Sequence, residues 1–273
     1  MLALLGAFDG GAGTSTRHGD GREQPAVGPR SAAFGKLERA AAPRRAVPRR
    51  ANVVIGRSAE GRPIEAWASN GIGGSRQARS GGPLVLAIGC IHGDECAGIE
   101  AVRRSERDSR AYANRLVVVE NLNPDGLAAS TRLNGNGVDL NRNFDASWRP
   151  IGEPGDPEHA GTAPFSEPET RIARALIRRL RPDVTIWFHQ QEERLVRAWG
   201  PSAPAARTYA RLAGEPFRRM PWLDGTAPNW QNHRFRGTSS FVVELPLAGP
   251  SHANRHGRAI SELAGELMEE RDG

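Results

Sequence analysis

The stretch LVLAIGCIHGDECAG, residues 84 to 98, decides how the rest of the chain is read. Five apolar residues in a row, Leu84 to Ile88, suit a strand buried on both faces. Glycines 89, 93 and 98 punctuate the turn that follows, and CAGIEAVRRSERD reads as a helix. His92 and Glu95 stand three apart in that turn, so both can reach one point. Zinc accepts imidazole nitrogen and carboxylate oxygen at about 2 Å, and a hydrolytic site needs three protein ligands with one position open. A third ligand must therefore come from elsewhere. Cys90 and Cys96 flank His92. They read as small buried apolar residues, a short disulfide or metal ligands. Two cysteines in such a turn often sit too far apart, or point apart, for a disulfide.

The sequence of 273 residues can bury one large core or two small ones. Its apolar share of 38% is ordinary for a soluble globular chain with a polar tail. The net charge of +6 comes almost wholly from arginine, because Lys36 is the one lysine. The arginines are scattered among acids, which argues against a nucleic-acid site. Attraction to an anionic surface, such as a cell-wall polymer, is the milder reading. No run approaches 18 apolar residues, so no integral membrane segment is expected. Residues 1–50 are rich in Gly, Ala, Arg and Pro without a hydrophobic period, and read as a disordered or poorly ordered tail. The opening MLALLGA is short for a signal peptide and lacks a basic start, which leaves cytoplasmic and secreted or cell-wall-associated locations both open.

The catalytic domain is placed over residues 51–273. NVVIGRS and RPIEAWAS around AEG read as a hairpin. RLVVVENL, DVTIWFH and TSSFVVELP read as further strands, and SHANRHGRAISELAGELMEER as a closing helix. In SEPETRIARALIRRL, Ser166 and Glu169 have the spacing of a capping box. Ile172, Leu176, Ile177 and Leu180 make one apolar stripe of that helix. Strands alternating with helices predict an α/β protein. The fold expected is a three-layer α/β/α sandwich around a central mixed, largely parallel sheet. His92 follows one strand of that sheet and His189 ends another. Ligands of open α/β sheets gather outside the carboxyl ends of the strands. Two imidazoles and the Glu95 carboxylate there match a single catalytic zinc per chain.

Two Asn/Gly-rich segments, NLNPDG (121–126) and NGNGVDLNRNF (134–144), read as loops. Arg132 lies between them and Asn141 and Arg142 in the second, and an arginine fork suits a carboxylate. At this point the chain resembles the zinc carboxypeptidases of the carboxypeptidase A type. Within them it is most similar to short bacterial members that include the murein-peptide amidases. GRSAEGRPI, GCIHGDE, NLNPDG, GVDLNRNF, WFHQ and FVVELP carry the resemblance, in the family's order, from about residue 52 to 246.

The resemblance implies His92, Glu95 and His189 as zinc ligands and Glu244 as general base and then acid. It implies Arg132 as the cation that polarises the scissile carbonyl. Asn141 and Arg142 are implied as the pair that grips a terminal carboxylate, with the neighbouring Asn143 offering a further amide. Where the family carries a loop tyrosine, the count back from Glu244 lands on Trp222, an apolar wall for substrate. Tyr112 and Tyr209 do not fit that place. Asp224 nearby reads as an exposed loop carboxylate. His18, His159, His233, His252 and His256 have no partners at ligand spacing and read mostly as surface residues.

The expected activity is zinc-dependent hydrolysis of an amide next to a free carboxylate, on short peptides for which peptidoglycan is one source. The alternatives are an N-acyl-amino-acid hydrolase and a non-catalytic binding protein on the same fold.

Overall fold

Leu84–Ile88 forms a strand, β3, in which every residue is buried. Its alternation feeds two cores. Val85 and Ala87 pack on one face of the sheet with α1 (Gly98–Asp108), α4 (Ala203–Ala213) and α6 (Pro250–Asp272). Leu84, Leu86 and Ile88 pack on the other with α3 (Pro168–Leu180) and α5 (Ala227–Arg234). The result is the expected three-layer sandwich. The computed structural model describes residues 52–69, 82–108, 115–191, 193–221, 223–246 and 250–272. All of them lie within one unit, Pro48–Gly273. The tail expected over residues 1–50, Tyr112 and Trp222 lie outside the described residues. Among the described residues, no helix is long and apolar enough to cross a membrane.

Among the described residues the sheet has eight strands. They include β1 (Val53–Arg57), β2 (Pro63–Ala68), β4 (Arg115–Val119), β5 (Val184–Gln190) and β8 (Ser239–Leu245). Two short ones, β6 (Leu195–Ala198) and β7 (Phe217–Arg219), complete it. Their order is β1-β2-β4-β3-β5-β8-β6-β7. The central four, β4-β3-β5-β8, run parallel. β1 and β2 form the expected antiparallel hairpin, and β6 runs antiparallel to β8. The β5–β8 register sets His189 beside Glu244 at the carboxyl ends of both strands. A one-residue slip would turn one of them to the opposite face.

Three local expectations are corrected. α3 starts at Pro168 with Glu167 as N-cap, and Ser166 does not cap it. Proline at the first helical position presets the helical φ and needs no N–H there, so the start falls one residue later. The Ser166 hydroxyl instead donates to Glu167 (2.7 Å), and Glu169 accepts the Ala59 amide (2.8 Å), tying α3 to the β1–β2 turn. The NLNPDG segment is not all loop. It carries a short helix, α2 (Pro124–Ala129), capped by the Asn123 side chain on the Gly126 amide. His159 and His256 are buried rather than on the surface. The former bonds the Gly152 carbonyl (3.0 Å) and the latter the Tyr209 hydroxyl (2.8 Å).

Trp187 shows how the core holds the site. It is fully buried two residues before His189, and its Nε1 donates to the Ser240 hydroxyl at 3.0 Å on β8. Its ring also meets Phe144 edge-on. Trp187→Ala removes that volume from a closed core, and unfolding in denaturant should show a loss of about 3–5 kcal/mol.

Candidate metal centre

The turn after β3 continues the sheet before it leaves it. Gly89 N donates to Val119 O and Leu122 N to Cys90 O, each at 2.9 Å. Glu95 N then donates back to His92 O at 3.0 Å, folding the two candidate ligands over one another. Cys90 and Cys96 close this turn as a disulfide, with Cα atoms 4.7 Å apart. That corrects the expectation of cysteines too distant to pair, since a disulfide bridges roughly 4.4–6.8 Å. The tight His92–Glu95 turn is what brings them together. Gly93 allows close approach to α2, because a Cβ there would sit 1.9 Å from the Gly126 carbonyl carbon.

His92, Glu95 and His189 come together as the sequence implied. One donor atom from each lies within 4.8 Å of the others. Glu95 Oε2 is 2.9 Å from His189 Nδ1 and 3.1 Å from His92 Nδ1. The second contact is off hydrogen-bond geometry, so His92 Nδ1 is buried with no hydrogen-bond partner. A buried imidazole nitrogen facing a carboxylate and a second imidazole is the donor set that zinc takes, and the residues fit the ion. Burial opposes charge on Glu95, but the His189 hydrogen bond and the close His92 imidazole outweigh it and hold the carboxyl well below the usual range. Burial, helped by the neighbouring His92, pushes His189 down against the pull of Glu95 and Glu244. It opposes protonation of His92 too, yet the Asp139 carboxylate prevails and raises that imidazole.

Asp139 is a functional residue that the sequence reading missed. It is fully buried, and its Oδ1 lies 3.0 Å from His92 Nε2. The same oxygen accepts the Asn141 amide at 2.8 Å, and Oδ2 accepts Arg132 Nη2 at 2.9 Å. A carboxylate behind a metal-binding histidine sets its tautomer and ring orientation. The available signal was an acid three residues before Arg142 in a segment already suspected of function.

Arg132 stands at the cluster, with Nη1 2.7 Å from Glu95 Oε1. Asn123 places it by bonding the Arg132 and Leu133 carbonyls. Asp125, in the same segment, accepts Ser58, the Glu60 amide and Arg62, which joins the β1–β2 turn to α2. Arg142 lines the cleft beside the cluster and donates to Glu158 at 2.5 Å on its exposed side. Asn141 also lines the cleft, but its amide is engaged with His189 Nε2 (3.3 Å) and the Ala227 amide (3.0 Å). The Asn143 amide is not available to a substrate. It is fully buried and donates to the Ala160 and Ala163 carbonyls and the Ser166 hydroxyl, which corrects the expectation of a further donor. Asp224 is paired with Arg149 at 3.0 Å. Glu244 is buried beside His189, and its partner is Arg197 on β6, a second residue the sequence did not single out.

A family profile described as zinc carboxypeptidase matches residues 40–242. Murein peptide amidase A of Escherichia coli strain K12 is 36% identical over 115 residues, which is 38% of this chain and 48% of that protein. The chain thus matches about half the length of that relative. The Vibrio campbellii protein of the same name is 28% identical over 185 residues, covering 59% of this chain and 68% of its own. Among solved structures, a murein-tripeptide amidase from Escherichia coli O157 aligns with a TM-score of 0.61 at 24% identity, covering 85% of this chain and 95% of its own.

The cluster predicts the metal content. The purified protein should hold about one zinc per chain, and His189→Ala should lose it. Asp139→Ala keeps all three ligands but frees the His92 ring, so competition with a chelator should show zinc held 10- to 100-fold more weakly, by order of magnitude.

Proposed function

The chain belongs to the zinc carboxypeptidase family, and from that premise we propose that it hydrolyses the amide bond next to a free terminal carboxylate in short peptides. The observation that carries the proposal is the β5–β8 register, which sets the buried carboxylate of Glu244 beside His189. Zinc, when held by His92, Glu95 and His189, supplies a water acidified towards a pKa of about 7 and polarises the scissile carbonyl. Glu244 takes the proton of the attacking water and returns it to the leaving amine. Arg132 donates to the oxygen on which negative charge develops, a contribution of about 3 kcal/mol for one such donor. Arg142 pairs with the terminal carboxylate through its planar fork. Asn141, bonded to His189 Nε2, holds that imidazole in place while lining the cleft.

We further propose peptides derived from peptidoglycan as the natural substrates. Two of the named relatives are murein peptide amidases, and the net charge of +6 favours an anionic surface. A panel of murein tripeptides, ordinary peptides with free carboxyl ends and N-acyl amino acids separates this reading from an acyl-amino-acid hydrolase. Preferred turnover of the N-acyl amino acids would replace it.

Glu244→Gln keeps the shape and removes the base. It should retain zinc while kcat falls by about 10²-fold or more. Near-parental activity would reduce Glu244 to a buried strand residue. Amidating the terminal carboxylate of a good substrate leaves the Arg142 guanidinium without its anion, and most activity should disappear. Equal turnover of acid and amide would point to an endopeptidase on this fold.

A further inference from the structure

The cleft beside the metal cluster, about 120 Å³ in volume, is lined by three arginines, Arg132, Arg142 and Arg197. The proposed reaction uses two of them, one at the developing oxyanion and one at the terminal carboxylate. Arg197 has no part in that scheme. It stands on β6 opposite Val242, so its side chain lies on the same face of the sheet as Glu244, two residues further along β8. The two are ion-paired. Glu244 does not saturate the fork, because Arg197 Nε is buried with no hydrogen-bond partner. Trp199, Met220, Leu223 and Val242 supply apolar wall around it. A guanidinium among apolar walls is a poor place for a neutral side chain and a good one for a planar anion, since low local polarity strengthens the pairing.

We infer that Arg197 is the specificity-determining residue of the cleft and receives a carboxylate on the side chain of the residue released. The inference rests on the carboxypeptidase reading above. The preferred leaving residue then carries two carboxylates, one terminal and held by Arg142, one on its side chain and held by Arg197. The second has a consequence for the chemistry. An incoming carboxylate competes with Glu244 for Arg197, so an acidic residue frees the base as it binds. A neutral residue leaves Glu244 paired, and kcat falls as well as KM rising.

The test uses the zinc-loaded full chain and N-acyl dipeptides that differ only in ending with Glu or with its neutral isostere Gln. The parent should favour the Glu substrate by about 10²-fold in kcat/KM. Arg197→Met should bring the two within about threefold, and Arg197→Lys should keep part of the preference because it keeps the charge. Calorimetry supplies a readout apart from turnover. Glutarate should bind the parent about tenfold or more tightly than valerate, and Arg197→Met should level them. Equal kcat/KM for Glu and Gln ends in the parent would overturn the inference. So would Arg197→Met slowing both substrates alike with their ratio intact, since Arg197 would then only position Glu244. If Arg197→Met does not fold, the parent ratios and Arg197→Lys decide. Loss of the Glu preference with a continued need for the free terminal carboxylate sinks this inference alone. Turnover of terminally amidated dipeptides at the acid's rate sinks the carboxypeptidase reading itself.

Discussion

One buried carboxylate joins the parts of the site. Asp139 is removed from water, and an isolated ion there would cost several kcal/mol. Its position is tolerable only because His92, Arg132 and the Asn141 amide all converge on it. Meeting that requirement brings three segments to one place: the turn after β3, the chain following α2, and the Leu140–Arg142 turn. The Asp139 side chain also holds the His92 ring from behind, leaving Nδ1 turned towards Glu95. Burial of the anion and orientation of the ligand are the same interaction seen from two ends.

The other half of the site is rigid for a different reason. His189 and Glu244 are strand residues, and Arg197 is one register step away on the neighbouring strand. Backbone ladders and the packed aromatic cluster of Phe144, Trp187 and Trp230 fix the backbone positions of these three, and Asn141 and Glu95 then bond the His189 ring. Loop residues thus need a polar network for precision, whereas strand residues inherit it from the sheet. The cleft lies between the two systems, which suits a site that must hold its ligands still and admit a substrate.

The metal turn shows how closely loop and scaffold are fitted. Gly93 rests on the backbone of Gly126, and Gly225 rests on the carbonyl of Arg142. The Cys90–Cys96 disulfide closes the turn on the other side. Each contact removes freedom from a segment that the flanking helix and strand restrain only at its ends.

Much of this was legible in the residues alone. Continuous apolar runs marked the central parallel strands, because a strand covered on both faces has no polar alternation. The stripe from Ile172 to Leu180 marked α3, and His92, Glu95 and His189 were identifiable because imidazole and carboxylate at strand ends are a narrow chemical set. Short β6 and β7 and the alanine-rich α4 gave too few periods to read. Ser166 and Glu169 matched a capping pattern, yet tertiary partners claimed both side chains. The Cys90–Cys96 pairing depends on how tightly the turn between the two cysteines folds. The role of Asp139 and the engagement of Asn143 depend on which side chains meet across tens of residues. So does the position of Arg197 beside Glu244, which arises from an antiparallel register between β6 and β8. Ligand chemistry is a property of residue type and local spacing, and the sequence determines it by itself. Orientation, second partners and the charge facing the substrate arise from contacts between distant segments, and only the tertiary structure decides them.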